Sequence, residues 1–260
     1  MTADSGNQSF WEHLDVLRGT LFRIAAVTVV FAAAAFLFKN LLFEILLAPN
    51  NPDFVTYRII SRFDTGTTPF SVQLINTGLA DQFMIHMRTA FSVGFLCALP
   101  YVLYQLFRFV SPALYDAERK YVIRVVSASY VLFMTGVAVS YFLIFPLTFR
   151  FLASYQVSPQ IPNTITLQSY ISSLSMMSVA MGVVCEIPIM AWLLAKLGLI
   201  SPEFMCRYRR HAVVVILVLA AIITPTADVF TLMMVSLPMW LLYEAGIHIV
   251  RRTISIKNRH

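Results

Sequence analysis

The sequence predicts an all-α, polytopic membrane protein with six transmembrane helices, and its composition and hydropathy are the main reasons. Only 12% of the 260 residues are charged, 19 Lys and Arg with 13 Asp and Glu, which is about half the share in a soluble domain. The hydrophobic share is 58% and the mean hydropathy is +0.74. The low share of charged residues excludes a soluble domain, and the high share of apolar residues excludes a disordered chain. Three cysteines in the whole chain also exclude a disulfide-stapled secreted scaffold.

Six apolar runs supply the spans, since a membrane-crossing helix needs about 20 residues to cover roughly 30 Å of hydrocarbon. The predicted spans cover residues about 21–38, 89–110, 121–149, 170–197, 212–224 and 229–250. The first run could instead be a cleaved signal peptide, because Ala32–Ala35 resembles a cleavage site. Its leader carries Asp4, Glu12 and Asp15, however, whereas signal peptides begin with basic residues. We therefore expect a retained span and a single integral-membrane domain over residues 1–260.

The distribution of Lys and Arg predicts which side of the membrane each loop faces. Six spans place both termini on one side, and fourteen of the 19 basic residues fall on that side. Because basic residues are enriched in cytoplasmic loops, both termini are expected in the cytoplasm, and the loops 39–81 and 150–168 face outward. This bias explains the net charge of +6, which we do not take as a sign of nucleic-acid binding.

The segment 9–20 predicts an amphipathic helix on the cytoplasmic membrane surface. Ser9 and Glu12 have the spacing of a capping box. Apolar residues recur at helical steps, at Phe10, Leu14, Leu17 and Leu21. We expect this helix to lie in the interface before the chain turns into the first span. Beyond that span, the apolar stretch 41–48 either extends the first helix or lies in the outer interface.

The fifth run is short for a span. As a helix, Ala212–Ile223 would be about 18 Å long, which cannot cross an unperturbed bilayer. Either the membrane thins locally, with the polar tip Thr224–Asp228 below the headgroups, or flanking residues extend both helices and the tip lies at the surface. In the first case Asp228 needs a wet or protein-lined site, because a bare carboxylate in lipid is costly.

Two acidic sites are notable in this apolar chain. In the first cytoplasmic loop, Asp116 and Glu118 lie beside Arg119 and Lys120. They form either a solvated turn with paired charges or a patch that binds a cationic ligand. Glu186 lies in the middle of the fourth span, where an ionisable group costs a few kcal/mol. It is either a hydrogen-bonded packing residue or a functional group, and intramembrane acids more often mark function.

The sequence contains none of the common catalytic or metal-binding motifs. The five histidines show no H-E-x-x-H pattern, and the chain has no P-loop and no G-x-S-x-G. Cys97, Cys185 and Cys206 lack metal-ligand spacing. We therefore expect neither an enzyme nor a cofactor or metal site. The alternative to a binding protein is a proton-coupled small-solute transporter with Glu186 as relay. That class predicts inverted repeats, which we do not find.

Five motifs, in order along nearly the whole chain, resemble those of the TatC family, a component of the twin-arginine protein translocase. The matches are H-L-x-E-L-R at His13–Arg18, F-x-x-P-x-L-y-x-x-E-r at Phe109–Arg119, F-E-x-P at Cys185–Pro188, T-P-P-D at Thr224–Asp228 and I-P-x-x-x-L-y-E at Leu237–Glu244. Two positions depart from the family pattern. Val16 replaces the glutamate of the first motif, with Asp15 one position earlier, and Ala227 is an extra residue in the fourth. One residue turns a helix by about 100°, so the Asp15 carboxylate points in another direction.

The resemblance implies a concave bundle that receives signal peptides bearing two adjacent arginines. It implies that Glu118 pairs with one arginine and that Asp15 or Glu12 pairs with the other. The signal-peptide site expected in this way consists of Glu118, Asp15, Glu12, Arg18, Phe109, Pro112 and Arg119.

The resemblance also implies partners within the bilayer. Single-span proteins of the TatA and TatB type are expected to contact polar groups at the membrane-embedded positions Glu186, Thr224, Pro225, Asp228 and Glu244. The hydrophobic stretch of the signal would enter the concave membrane face, and the chain would self-associate in the complex. Folded cargo would then cross the bacterial inner membrane, driven by the proton-motive force rather than by a nucleotide.

Overall fold

The computed structural model describes residues 10–63, 72–110, 122–156, 158, 163–196, 198–224 and 228–257, and these are almost entirely helical. The helices are α1 (Phe10–Leu37), α2 (Lys39–Leu47), α3 (Val55–Phe63), α4 (Asp81–Val110), α5 (Val122–Val139), α6 (Phe145–Ser154), α7 (Leu167–Cys185), α8 (Ile187–Lys196), α9 (Pro202–Arg207), α10 (Arg209–Ile223) and α11 (Val229–Lys257). The shorter elements are a 3-10 turn (Ala48–Asn50), a π-turn (Ser140–Ile144), and the strands β1 (Leu74–Ile75) and β2 (Ile165–Thr166).

Five helical segments of the described chain are long and apolar enough to cross a membrane, which confirms the all-α polytopic fold. They are Asp15–Leu37, Asp81–Arg108, Ile123–Ser154, Leu167–Lys196 and Val229–Arg252. The predicted run 212–224 falls in α10, which has 15 residues and is therefore about 22 Å long. This helix packs against α11 as the first arm of a hairpin. It is the shortest of the predicted passages, in line with the short apolar run in the sequence.

The N-terminal segment and the first span form one helix. α1 continues without a break from Phe10 to Leu37, so the turn expected near residue 20 is not found in the described part of the chain. Gly19 weakens a helix by only about 1 kcal/mol relative to Ala, and no proline interrupts the segment. The break occurs at Phe38, whose backbone leaves the helical region at a ψ of 42°. The stretch 41–48 therefore lies mostly in a separate helix, α2.

Glycines allow two pairs of helices to approach closely. α1 packs along α4, and a Cβ atom at Gly94 would lie 2.4 Å from the backbone nitrogen of Ala32. α5 packs along α7, and a Cβ atom at Gly136 would lie 2.5 Å from the carbonyl oxygen of Met181. Small residues have this effect in membranes, where van der Waals packing replaces the hydrophobic effect as the force between helices.

One end of the bundle carries a cap, formed by α2, α3, β1, β2 and the π-turn. β1 pairs in parallel with β2, with Leu74 opposite Ile165. Tyrosines then connect the cap elements, because the Tyr57 hydroxyl donates to the Pro146 carbonyl at 3.1 Å and the Tyr141 hydroxyl donates to the Ile45 carbonyl at 2.5 Å. These bonds connect α3 to α6 and the π-turn to α2.

The largest core cluster lies between the cap and the middle of the bundle. Its centre is a group of three aromatic rings, in which Tyr170 meets Phe145 and Phe149 edge-on at centroid distances of 5.1 and 4.9 Å. The Tyr170 hydroxyl donates to the Leu46 carbonyl at 3.1 Å. The core therefore holds the fourth span and α2 in one arrangement. We call the opposite end, which carries α9, the terminal end.

Candidate functional site

An apolar groove of about 740 Å³ opens in the half of the bundle nearer the terminal end. Its walls come from α4, α5 and α8, with further residues from α7, α9 and α11. The apolar lining includes Leu99, Leu106, Phe133, Met190 and Ile200. The polar side chains that line it are Ser129, Glu186 and Tyr243. The groove is thus an apolar surface that carries a single carboxyl group among the residues described.

The sequence around Glu186 explains why its side chain is placed there. The fourth span consists of two helices, α7 ending at Cys185 and α8 beginning at Ile187. Pro188 has no amide N–H and cannot continue the hydrogen-bond ladder of α7. The Glu186 amide donates instead to the Val183 carbonyl at 3.0 Å, and a new helix starts from the Glu186 carbonyl. The acid therefore lies at the junction of two helices and lines the groove.

The Glu186 carboxyl group has one partner within the described chain and one oxygen without a partner. Oε2 accepts a hydrogen bond from the Ser129 hydroxyl of α5. Oε1 is buried and has no hydrogen-bond partner among the described residues. A buried oxygen left in this state costs free energy that a donor could recover. The arrangement can therefore accept a hydrogen bond from a molecule that enters the groove.

Ser129 was not identified from the sequence, although a signal for it existed. Ser129, Phe133 and Gly136 follow at steps of four and three along α5, so they share one helix face. Small and polar residues on one face of an otherwise apolar span mark a helix interface. That pattern indicates that Ser129 faces another helix, but it does not identify Glu186 as the partner.

The residues expected at the signal-peptide site lie partly outside the described chain. Pro112, Glu118 and Arg119 lie outside it, and so do the side chains of Glu12 and Phe109. The segment that contains the first three joins the end of α4 to the start of α5. These two helix ends lie beside the groove, as shown by an apolar cluster of Phe107, Val126 and Leu193. Phe107 and Leu193 also line the groove itself.

Asp15 and Arg18 lie on the first turns of α1 and are both exposed. The guanidinium group of Arg18 lies over the Phe22 ring, 5.7 Å from its centroid. This contact is a cation–π interaction on the same helix and holds Arg18 along α1. The Asp15 carboxylate is open to solvent at the terminal end.

Glu244 is engaged by its own chain. The Arg209 guanidinium lies 2.5 Å from its Oε2, and the exposed fractions of the two side chains are 52% and 16%. The pair joins α10 to α11, and the neighbouring Tyr243 hydroxyl donates to the Met205 carbonyl at 2.9 Å. Glu244 Oε1 has no hydrogen-bond partner in the described chain. The ion pair therefore engages one of the two carboxylate oxygens.

At the hairpin tip, Asp228 caps α11. Its Oδ1 accepts from the Thr231 amide at 2.9 Å, and its Oδ2 accepts from the Thr231 hydroxyl at 2.6 Å. An aspartate in this position satisfies helix amides that would otherwise lack partners. Thr224, at the end of α10, is buried, and its hydroxyl has no partner among the described residues. Pro225 lies outside them.

Comparisons with known proteins agree on one family. A family model described as Sec-independent protein translocase protein (TatC) matches residues 12–238. A TatC protein of Blattabacterium sp. subsp. Periplaneta americana is 32% identical over 96% of this chain and 97% of its own length. A TatC protein of Aquifex aeolicus is 32% identical over 91% and 92%. A crystal structure described as the twin arginine translocase receptor TatC superposes with a TM-score of 0.76 at 32% identity, covering 94% of this chain and all of that one.

Proposed function

Because the chain belongs to the TatC family of Sec-independent protein translocase proteins, we propose that it is the receptor and core subunit of a twin-arginine translocase. It binds Arg-Arg signal peptides of folded proteins at the cytoplasmic face of the bacterial inner membrane, with both of its termini in the cytoplasm. With single-span partners of the TatA and TatB type, and with further copies of itself, it exports these proteins using the proton-motive force.

The groove with its single carboxyl group is the observation that supports this proposal most strongly. A signal peptide has an apolar stretch behind its arginines, and an apolar groove of about 740 Å³ can take part of such a segment. The segment that contains Glu118 joins α4 to α5, and the Phe107 and Val126 ends of these two helices lie beside this groove. The arginines and the apolar stretch could therefore be bound side by side.

In this mechanism, carboxylates at the terminal end recognise the two guanidinium groups. Glu118 pairs with one arginine, and Asp15 or Glu12 pairs with the other. A charge-assisted hydrogen bond contributes about 1.5–3 kcal/mol, so two such pairs and a buried apolar segment are enough for micromolar binding. Further residues contribute by shape and by charge, Phe109 and Pro112 as the pocket wall and Arg18 and Arg119 as cations that orient the acids.

Glu186 is the leading contact for a membrane partner. Its Oε1 is buried in an apolar surface and lacks a donor among the described residues, so a polar side chain of a single-span helix would bind there with little competition from water. Asp228 and Glu244 would contribute less, because a helix cap and an ion pair already use them. Thr224 and Pro225 would complete the contact surface at the hairpin tip.

The test is cross-linking of a photoreactive Arg-Arg signal peptide to the full-length protein in membranes. We expect Glu118→Gln to reduce cross-linking at least tenfold, which corresponds to one lost charge-assisted contact of about 1.4 kcal/mol or more. Glu203→Gln is the matched control, because Glu203 is an exposed acid on α9 at the same end of the bundle. Cross-linking at the parent level in Glu118→Gln, or an equal loss in the control, would refute the assignment of Glu118.

A further inference from the structure

A second, polar cleft lies between α4 and α7 on the cap side of the bundle. Its volume is about 190 Å³, and it shares no lining residue with the groove. Each helix contributes four residues at steps of three, one and three, so that one face of α4 meets one face of α7. The lining residues are Ile85, Arg88, Thr89 and Ser92 from α4, with Gln168, Ile171, Ser172 and Ser175 from α7.

The chemistry of this cleft suits an anion. It combines one guanidinium group, one amide and four hydroxyl groups, and none of its eight lining residues is acidic. Asp81, two turns from Arg88 along α4, is already engaged, because its carboxylate accepts from the Gly78 amide at 2.8 Å. A guanidinium group with several hydroxyl donors can satisfy the oxygens of a phosphate group.

A buried hydroxyl group in the cleft gives an independent sign of a missing partner. Thr89 is only 1% exposed, and its Oγ1 has no hydrogen-bond partner among the described residues. A buried hydroxyl group that has lost its contact with water and gained no partner is unfavourable. A ligand oxygen in the cleft would remove this cost.

The position of the cleft along the helices indicates where the ligand comes from. Arg88 lies seven residues after the start of α4, and so about 10 Å from the cap end of that helix. Its side chain is exposed, whereas Ile85 and Ile171 beneath the cleft are almost completely buried. A cation at this depth on a membrane-spanning helix reaches towards the interface, where phospholipid phosphates lie.

We propose that this cleft binds the phosphate group of a phospholipid from the leaflet on the cap side. The Arg88 guanidinium pairs with the phosphate, and the Thr89, Ser92, Ser172 and Ser175 hydroxyl groups bond its remaining oxygens. The glycerol end of the lipid lies against the two isoleucines. The bound lipid joins the second span to the fourth at their cap ends. This proposal is independent of signal-peptide binding, because the two sites share no residue.

Native mass spectrometry of the full-length protein tests the proposal. Delipidated protein is titrated with phosphatidylglycerol or with diacylglycerol of the same acyl chains, which lacks the phosphate. We expect the parent protein to retain one phosphatidylglycerol and no diacylglycerol. Arg88→Gln should weaken this retention about tenfold, the effect of one charge-assisted contact. Arg62→Gln is the matched control, since Arg62 is an exposed arginine of α3 outside the cleft, and it should behave like the parent.

Cross-linking of the unmodified protein makes the test independent of any folding defect in a variant. Phosphatidylglycerol with a photoreactive group next to its phosphate should label peptides that contain residues 81–92 and 167–176. Labelling confined to other peptides would overturn the proposal, and so would equal retention of the two lipids or unchanged retention in Arg88→Gln. Glycerol phosphate that displaces the lipid at equal concentration would also overturn it, because the ligand would then be a soluble anion.

Discussion

The tyrosines around the cap and the acids around the groove use their buried polar atoms in opposite ways. The phenols of Tyr57 and Tyr141 in the cap, and of Tyr170 on α7 beside it, each donate to a backbone carbonyl of another element. At the groove and beside it, the carboxyl groups of Glu186 and Glu244 each keep one buried oxygen without a partner in the described chain. A phenol that donates inward stabilises the chain by itself, whereas a carboxyl group with an open oxygen favours binding of an external donor.

Replacing Glu186 should have the largest effect of the substitutions proposed here. The effect should be on transport rather than on the free energy of unfolding. We expect Glu186→Ala to lower export of an Arg-Arg cargo at least tenfold, because the groove loses the acid proposed to bind the membrane partner. Signal-peptide cross-linking should remain at the parent level, since the arginines bind outside the groove and the apolar stretch of the signal needs only the apolar walls of the groove. Export assays in cells and cross-linking in membranes measure the two effects.

Glu44→Ala is the control for this prediction, because Glu44 is an exposed acid of α2 in the cap. Its export should match that of the parent. Parent-level export in Glu186→Ala would show that Glu186 only packs against Ser129. The open oxygen of Glu186 would then have no role in binding a partner.

Substituting Gly136 should give the largest loss of stability. A Cβ atom there would meet the Met181 carbonyl oxygen at 2.5 Å and the Cys185 sulfur at 2.6 Å, so α5 and α7 must move apart beneath the groove. We expect Gly136→Ala to lower the free energy of unfolding in mixed micelles by about 1–3 kcal/mol. Gly19→Ala is the matched control, since no atom lies within 4 Å of its Cβ position. It should be neutral or stabilising by up to about 1 kcal/mol.

Tyr57→Phe tests the cap through one hydrogen bond. We expect a loss of about 1 kcal/mol in the free energy of unfolding at neutral pH, because the hydrogen bond from the phenol to the Pro146 carbonyl is lost. Burial raises the pKa of the Tyr57 phenol, and the nearby Arg150 guanidinium opposes this only in part.

The raised pKa makes the cap sensitive to alkali. The unfolded protein releases the phenol proton above a pH of about 10, whereas the folded protein retains it, so the parent loses stability as pH rises through this range. Tyr57→Phe lacks this loss, and its stability deficit should therefore shrink above pH about 10. A deficit that stays constant from neutral to alkaline pH would contradict the burial of this phenol.

Breaking the Arg209–Glu244 ion pair should have the smallest effect on the free energy of unfolding. Arg209 is 52% exposed, and half-exposed ion pairs contribute about 1 kcal/mol or less. A double-mutant cycle with Arg209→Gln and Glu244→Gln measures the coupling between the two side chains. We expect a coupling energy below about 1 kcal/mol that decreases in high salt. A coupling energy of several kcal/mol would contradict this expectation. It would show that Glu244 stabilises the fold, as the tyrosines of the cap do.

Features that depend on local pattern could be predicted from the sequence, and those that depend on tertiary packing could not. Apolar runs located the five long membrane-spanning segments, and the acid of the fourth span was predicted to be a site because its neighbours are apolar. Its Ser129 partner was missed, since the small and polar face of α5 indicates a helix interface but does not show which residue, here 57 positions away, it contacts. The continuous α1 was also missed, because amphipathic spacing shows a helix without showing whether it bends. The loop around Glu118 lies outside the described residues, so its role remains a prediction.

The pairing of β1 with β2 has a consequence for how the protein is made. Leu74 and Ile165 are far apart along the chain, and the intervening residues include two complete spans. The loop between the first and second spans can acquire its strand partner only after residues 165–166 have been made, and the Leu46 carbonyl can accept the Tyr170 bond only after the start of the fourth span has emerged. Assembly of the cap is therefore a late event in biogenesis, and a nascent chain arrested before residue 165 should leave its first loop open to proteases.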